Sequence, residues 1–131
     1  MVDASFAAGA VTPLLRIFDV SKAKEFYLNY LGFRQDWEHR FEPDLPLYTQ
    51  VSLGRCALHL TEHHGDCTPG SALRIEMPNL TGYHEYLSAQ KYGYARPGLE
   101  RAFGCLEVRV ADPFGNRLTF FERLADPTPE G

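Results

Sequence analysis

The sequence predicts an α+β fold: two tandem βαβββ units forming a curved mixed sheet with a central cleft and helices on its outer face. Three observations carry this. Leu31-Gly32-Phe33 recurs as Tyr92-Gly93-Tyr94, and Leu53-Gly54-Arg55 recurs as Phe114-Gly115-Asn116, both at a spacing of 61 positions. Asp19-Val20 and Asn79-Leu80 repeat at nearly the same distance. In each copy the first glycine follows a stretch of helical apolar spacing, and the second introduces an alternating apolar strand. Duplication of one supersecondary unit explains why unrelated turn signals share an offset, and a cleft between the copies is the natural place for function. The expected organisation is one domain, with units at about 11–64 and 70–123, a flexible arm at 1–10 and a tail at 124–131.

Taken in order, residues 11–18 read as a strand, with Pro13 near its start where a missing donor costs least. Ser21 is a candidate N-cap for a helix over 22–30, whose Ala23, Phe26, Tyr27 and Tyr30 fall at helical spacing. Gly32 ends that helix. Residues 34–42 form a strand carrying Trp37, the proline-punctuated loop 42–46 follows, and 47–53 and 56–62 make a hairpin across Gly54. Residues 62–70 join the halves. The second unit begins with a strand at 72–77 and a helix capped by Thr81 and running through Lys91, closed by Gly93. Around 96–103 the next strand is short or irregular. Strands at 105–111 and 117–123 flank Asp112-Pro113-Phe114-Gly115-Asn116, where Asp-Pro starts a turn and Gly115 supplies positive φ.

A chain of 131 residues makes one domain able to bury about 70% of its unfolded surface. A net charge of −4 without a Lys/Arg run argues against nucleic acid as a partner, and suits either plain solubility or a cationic ligand. No apolar run approaches the ~20 residues of a membrane span, and the N-terminus lacks the basic region of a secretory signal. Cys56, Cys67 and Cys105 are odd in number without CxxC spacing, which fits reduced thiols in a cytoplasmic protein.

The segments Phe18-Asp19-Val20-Ser21-Lys22-Ala23-Lys24-Glu25-Phe26-Tyr27, Tyr30-Leu31-Gly32-Phe33 and Asp112-Pro113-Phe114-Gly115-Asn116 resemble the vicinal oxygen chelate superfamily, over residues 11–123. That superfamily includes glyoxalase I, extradiol dioxygenases, and fosfomycin- and bleomycin-resistance proteins. Its enzymes hold a divalent metal on four positions of the cupped sheet. Carried onto this chain, three of those positions fall on Thr12, Ala72 and Thr119. None of these offers a carboxylate or imidazole, and a neutral hydroxyl is a poor ligand for a catalytic divalent ion. The fourth is His59 if Leu60-Thr61 and Gly65 are matched to the family. The internal offset instead pairs Leu58 with Thr119 and His59 with Phe120, and a shift of one residue moves a strand side chain to the opposite face.

Among superfamily members, a chain of this size without a metal site most resembles the bleomycin-resistance proteins. The resemblance implies a homodimer with exchanged N-terminal arms that sequesters a cationic glycopeptide antibiotic, needs no cofactor and performs no chemistry. Flat ligand rings would stack on aromatic faces, and carboxylates would favour a cation. The expected ligand-contacting residues are Trp37, Glu38, Tyr48, Phe103, Glu107 and Thr119, with Asp36, Glu42 and Asp44 as further carboxylates. Phe103-Gly104 lies where the family has Trp-Gly, and Glu107 alternates with Leu106 and Val108, which points it into the cavity. Trp37 reads equally as a core residue, and the acids as a solvated loop. Glu62-His63-His64-Gly65-Asp66 is either a metal-binding or titrating cluster or a loop whose side chains hydrogen-bond its own turn. The competing function is a metal-dependent glyoxalase- or dioxygenase-like enzyme using His59, or a binder of an unrelated metabolite.

Overall fold

The computed structural model describes residues 5–90, 92–93 and 96–125. The start of the expected arm (1–4), Lys91 at the expected helix end, Tyr94 of the repeated turn and the end of the expected tail (126–131) lie outside these residues. In chain order the first unit is β1 (Leu14–Arg16), α1 (Val20–Lys24) continuing as a π-helical segment (Glu25–Tyr30), β2 (Arg34–His39), β3 (Tyr48–Leu53) and β4 (Cys56–Thr61). The second is β5 (Ala72–Glu76), α2 (Leu80–Ala89), β6 (Leu99–Ala102), β7 (Cys105–Ala111) and β8 (Arg117–Arg123). The mixed sheet is two four-stranded sheets of the same topology, β1-β4-β3-β2 and β5-β8-β7-β6, each with its first and last strands parallel and the remaining pairs antiparallel.

Strand alternation sends one set of side chains into a shared interior. Leu15, Ile17, Val51, Leu58 and Leu60 of the first unit join Val108, Val110, Leu118 and Phe120 of the second, around Ala23, Phe26, Tyr27, Tyr30, Leu80 and Leu87 from the helices. The π-helical winding closes with Leu31 N–H donating to the Phe26 carbonyl at 2.9 Å, and leaves Phe26, Tyr27 and Tyr30 all buried. Two hydrogen bonds join the halves through one turn. Tyr27 donates to Asp112 Oδ2 at 2.7 Å and Asn116 Nδ2 donates to the Arg16 carbonyl at 3.0 Å, while Ser71 N–H of the second unit holds the Asn116 amide by donating to its Oδ1 at 3.0 Å. Gly32 has φ +86°, a conformation that strains other residues, and a Cβ there would stand a tight 3.1 Å from the Tyr86 hydroxyl of α2, so this junction favours glycine.

Several expectations need correction. The first strand is shorter than 11–18, because only Leu14–Arg16 pairs in register with β4. Asp19, not Ser21, caps α1: its Oδ1 accepts from Lys22 N–H at 2.9 Å. Thr81 does not cap α2. That helix begins after Asn79 in a left-handed conformation (φ 56°), and its free N–H groups are met by Glu122 of β8, which accepts from Asn79 at 3.1 Å and Leu80 at 3.0 Å. A carboxylate reaching in from another strand replaces the local cap. The repeat also slips between its last strands. Leu53 pairs with Cys56 across a two-residue turn, whereas Ala111 pairs with Arg117 across five residues. Leu58 and Leu118 are therefore the equivalent core residues, and His59 corresponds to Thr119 rather than to Phe120.

Candidate functional site

The faces of the two sheets turned away from the core carry the unusual chemistry. On the first, cross-strand register places Leu14, His59, Gln50 and Trp37 in one row and Arg16, Thr61, Tyr48 and His39 in the next. Trp37 and Tyr48 stack nearly parallel with ring centroids 6.0 Å apart, and His59 meets both edge-on at 5.3 and 5.2 Å. A bulge between Gln35 and Trp37 brings Asp36 to the same side. The polar atoms form one chain. Arg34 Nε donates to Asp36 Oδ1 (3.1 Å), and Gln50 Nε2 donates to Asp36 Oδ2 (2.9 Å). Gln50 Oε1 therefore faces His59, whose Nε2–H donates to it at 2.9 Å. His59 Nδ1 is left to accept from the Tyr48 hydroxyl at 2.7 Å. Hydrogen bonds from Gln50 and Ser52 hold the Asp36 carboxyl below its ordinary value, and burial, with Asp66 and Cys67 nearby, raises the Tyr48 phenol. Tyr48 thus stays a donor. The result is a rigid aromatic platform, with Trp37 43% exposed at its rim.

The second face is different. Its rows run Ala72-Arg117-Ala111, then Arg74-Thr119-Arg109, then Glu76-Phe121-Glu107-Glu100. Glu107 is 2% exposed and accepts from Arg74 Nη1 at 3.0 Å and from Arg109 Nε and Nη2 at 3.3 and 3.1 Å. Burial alone would raise its carboxyl, but the two guanidinium groups outweigh that and lower it. Its contribution to stability is therefore present above the ordinary carboxylate pKa and is lost as pH falls below it. A cavity of about 600 Å³ lies over the first two rows.

The expected site residues divide accordingly. Trp37 and Tyr48 meet on the first face, and Glu107 and Thr119 lie on the second. Glu38 joins neither. It stands opposite Thr49, which is buried toward the core, and pairs with Lys24 of α1 at 3.6 Å. Glu42 and Asp44 are exposed on the loop between β2 and β3. Glu107 lies on the same face as Arg109 and Thr119, but its charge is already neutralised by Arg74 and Arg109, so it offers nothing to a cation. The sequence reading missed Gln50, Arg74, Arg109 and Arg117. Arg109 and Arg117 were signalled as the i±2 neighbours of Glu107 and Thr119 along β7 and β8, whereas Gln50 on β3 and Arg74 on β5 reach these faces only through cross-strand register.

Phe103 is 89% exposed and lies with Gly104 in a two-residue hairpin turn, both at positive φ (54° and 75°). That turn favours Asn-Gly, and a left-handed Phe is strained by about 1–2 kcal/mol. Phe103→Asn should therefore raise stability by about 1 kcal/mol, read as a higher urea midpoint at unchanged m-value. A midpoint that stays put would show that the turn carries no such strain.

The donors do not suit a metal. Of the four positions implied by the superfamily resemblance only His59 is a ligand type, and both of its ring nitrogens are engaged. No group of three or more His, Cys, Asp or Glu among the described residues could hold a metal ion. The 62–66 loop bonds to its own surroundings: Glu62 accepts from Leu47 N–H at 2.9 Å and Asp66 from the Thr61 hydroxyl at 2.8 Å. No helix among the described residues is long and apolar enough to cross a membrane.

Residues 4–126 match the family described as "Glyoxalase superfamily protein". No curated protein matches the chain. Solved structures share the fold. TnmS3, an antibiotic binding protein from Streptomyces sp. CB03234, superposes with TM-score 0.72 at 20% identity, covering 90% of this chain and 98% of that one. A bleomycin-binding protein complexed with bleomycin gives TM-score 0.66 at 18% identity over 88% and 99% of the two chains. The bleomycin-binding protein from bleomycin-producing Streptomyces verticillus, complexed with copper(II)-bleomycin, gives 0.63 at 25% identity over 92% and 99%.

Proposed function

The chain belongs to the glyoxalase superfamily, and from that premise we propose that it is a metal-free small-molecule binding protein that sequesters a bleomycin-type antibiotic without chemistry. The observation that carries this reading is the Trp37–Tyr48–His59 platform. It offers an exposed indole for stacking, while the histidine that an enzyme of the superfamily would turn to a metal is bound at both nitrogens by Tyr48 and Gln50. Two solved neighbours that bind bleomycin support the ligand class.

The protein works as a homodimer in this reading. Each open face offers one wall, and a second copy supplies the other. Phe6 of the arm and Val11 just after it are 78% and 86% exposed, an apolar surface that arm exchange through Pro13 would cover. Three free thiols, Cys56, Cys67 and Cys105, suit a reducing cytoplasm.

Calorimetric titration of chelator-treated protein with bleomycin tests this directly. Saturable heat at about one ligand per chain supports sequestration. No heat at high protein concentration, or heat that returns only when a divalent metal is restored, overturns it.

A further inference from the structure

We propose that the open face of the second sheet is an anion site, in which Arg74, Arg109 and Arg117 surround Thr119 and take a carboxylate- or phosphate-bearing ligand. The proposal stands on this face alone and does not depend on what stacks against Trp37.

Register places Thr119 directly between Arg74 and Arg109, with Arg117 two residues back on the same strand. Arg117 in turn lies between Ala72 and Ala111, whose small side chains leave the room that the cavity of about 600 Å³ occupies. Its lining includes these three arginines and no acidic residue, in a chain whose net charge is −4. Such local concentration of one sign runs against the chain's overall balance and costs self-repulsion unless an anion relieves it.

Buried Glu107 explains how the guanidinium groups are held. It fixes Arg74 through Nη1 alone and Arg109 through Nε and Nη2, the latter also 3.8 Å from Glu100 Oε2, so among the described residues Arg74 Nε and Nη2 and Arg109 Nη1 have no hydrogen-bond partner. The Arg74 guanidinium carbon also lies over the Phe121 ring, 4.5 Å from its centroid, a second contact that restricts the side chain. Arg117 has no ion-pair partner among the described residues, and its side chain adds a full fork of donors. Donors oriented in advance and left unsatisfied suit the bidentate geometry of a carboxylate or phosphate. Glu107 is thus a positioning residue, and with Glu100 Oε2 3.8 Å from Arg109 Nη2, two carboxylates face three cations.

The test is a titration of 15N-labelled protein at constant ionic strength with inorganic phosphate, with benzoate, and with neutral benzamide. Saturable shifts at Thr119 and at the Nε–H signals of Arg74, Arg109 and Arg117 are expected with an anion and not with benzamide. Stronger response to phosphate or to benzoate assigns the source. Arg117→Ala, which removes no internal ion pair, should weaken the anion roughly tenfold or more, and Thr119→Val should weaken it less. Linear, unsaturable shifts equal to those from chloride, or affinity unchanged in folded Arg117→Ala, would overturn the proposal. Phosphate binding in a protein that ignores bleomycin would leave the anion site standing and remove only the antibiotic reading.

Discussion

Asp112→Ala should lower the unfolding free energy by about 3 kcal/mol, because it strands several buried donors at once. Asp112 is 6% exposed and accepts four hydrogen bonds: Phe114 N–H at 2.9 Å, Asn116 N–H and Nδ2 each at 2.8 Å, and the Tyr27 hydroxyl at 2.7 Å. Three of these shape the turn that launches β8. The fourth crosses to the helix of the first unit, and desolvation together with the Asp112 charge raises the Tyr27 phenol well above its ordinary value, so the proton stays on the donor. Removing the carboxylate loosens the turn, frees Asn116 from its fixed pose and weakens both its contact with Arg16 of the first unit and its hold on Ser71 within the second. Tm should fall by roughly 10–15 °C in calorimetry. Tyr27→Phe loses only one of the four bonds and should cost about 1–2 kcal/mol. If the two variants melt alike, the turn's own hydrogen bonds contribute little, and the hub reading fails.

The same turn shows what the sequence could and could not reveal. Alternation, glycine turns and the duplicated offset made both βαβββ units readable, because each signal is local to a few residues. The caps were not readable in the same way. Asp19 and Ser21 are both good caps by type, and only the helix entry geometry decides between them. Glu122 reaches the start of α2 from 43 residues away, which no local pattern encodes. The face of His59 was obscured because the second hairpin's longer turn absorbs one residue of the repeat. Glu38 is a different case: adjacent residues in a strand point oppositely, so Trp37 and Glu38 could not both face one cleft. The arginines around Thr119 come from three strands, and only their register assembles them. The expected cation preference fails at Glu107 for this reason: Arg109 could be read two residues along the same strand, but Arg74 comes from β5 and only register brings it to the acid.

Trp37→Ala should weaken binding of bleomycin by about 1–3 kcal/mol, a loss of roughly five- to 150-fold, while leaving stability within about 1 kcal/mol. The two readouts separate because Trp37 is 43% exposed and lies outside the core cluster, so its truncation opens no cavity. Its ring is held from one side by Tyr48 and edge-on by His59, and those two are fixed in turn by Gln50 and Asp36. A stacking ligand therefore meets an indole that is already ordered, and little side-chain entropy remains to be lost. Trp37 is also the chain's sole tryptophan. Its fluorescence reports this position alone, and titration of the native protein should change its intensity with the same midpoint as the calorimetric heat. Tyr48→Phe keeps the stacked ring but removes the donor to His59, so it should retain most of the affinity while loosening the platform. Calorimetric binding without a fluorescence change, or full affinity in Trp37→Ala, would place the ligand elsewhere on the protein.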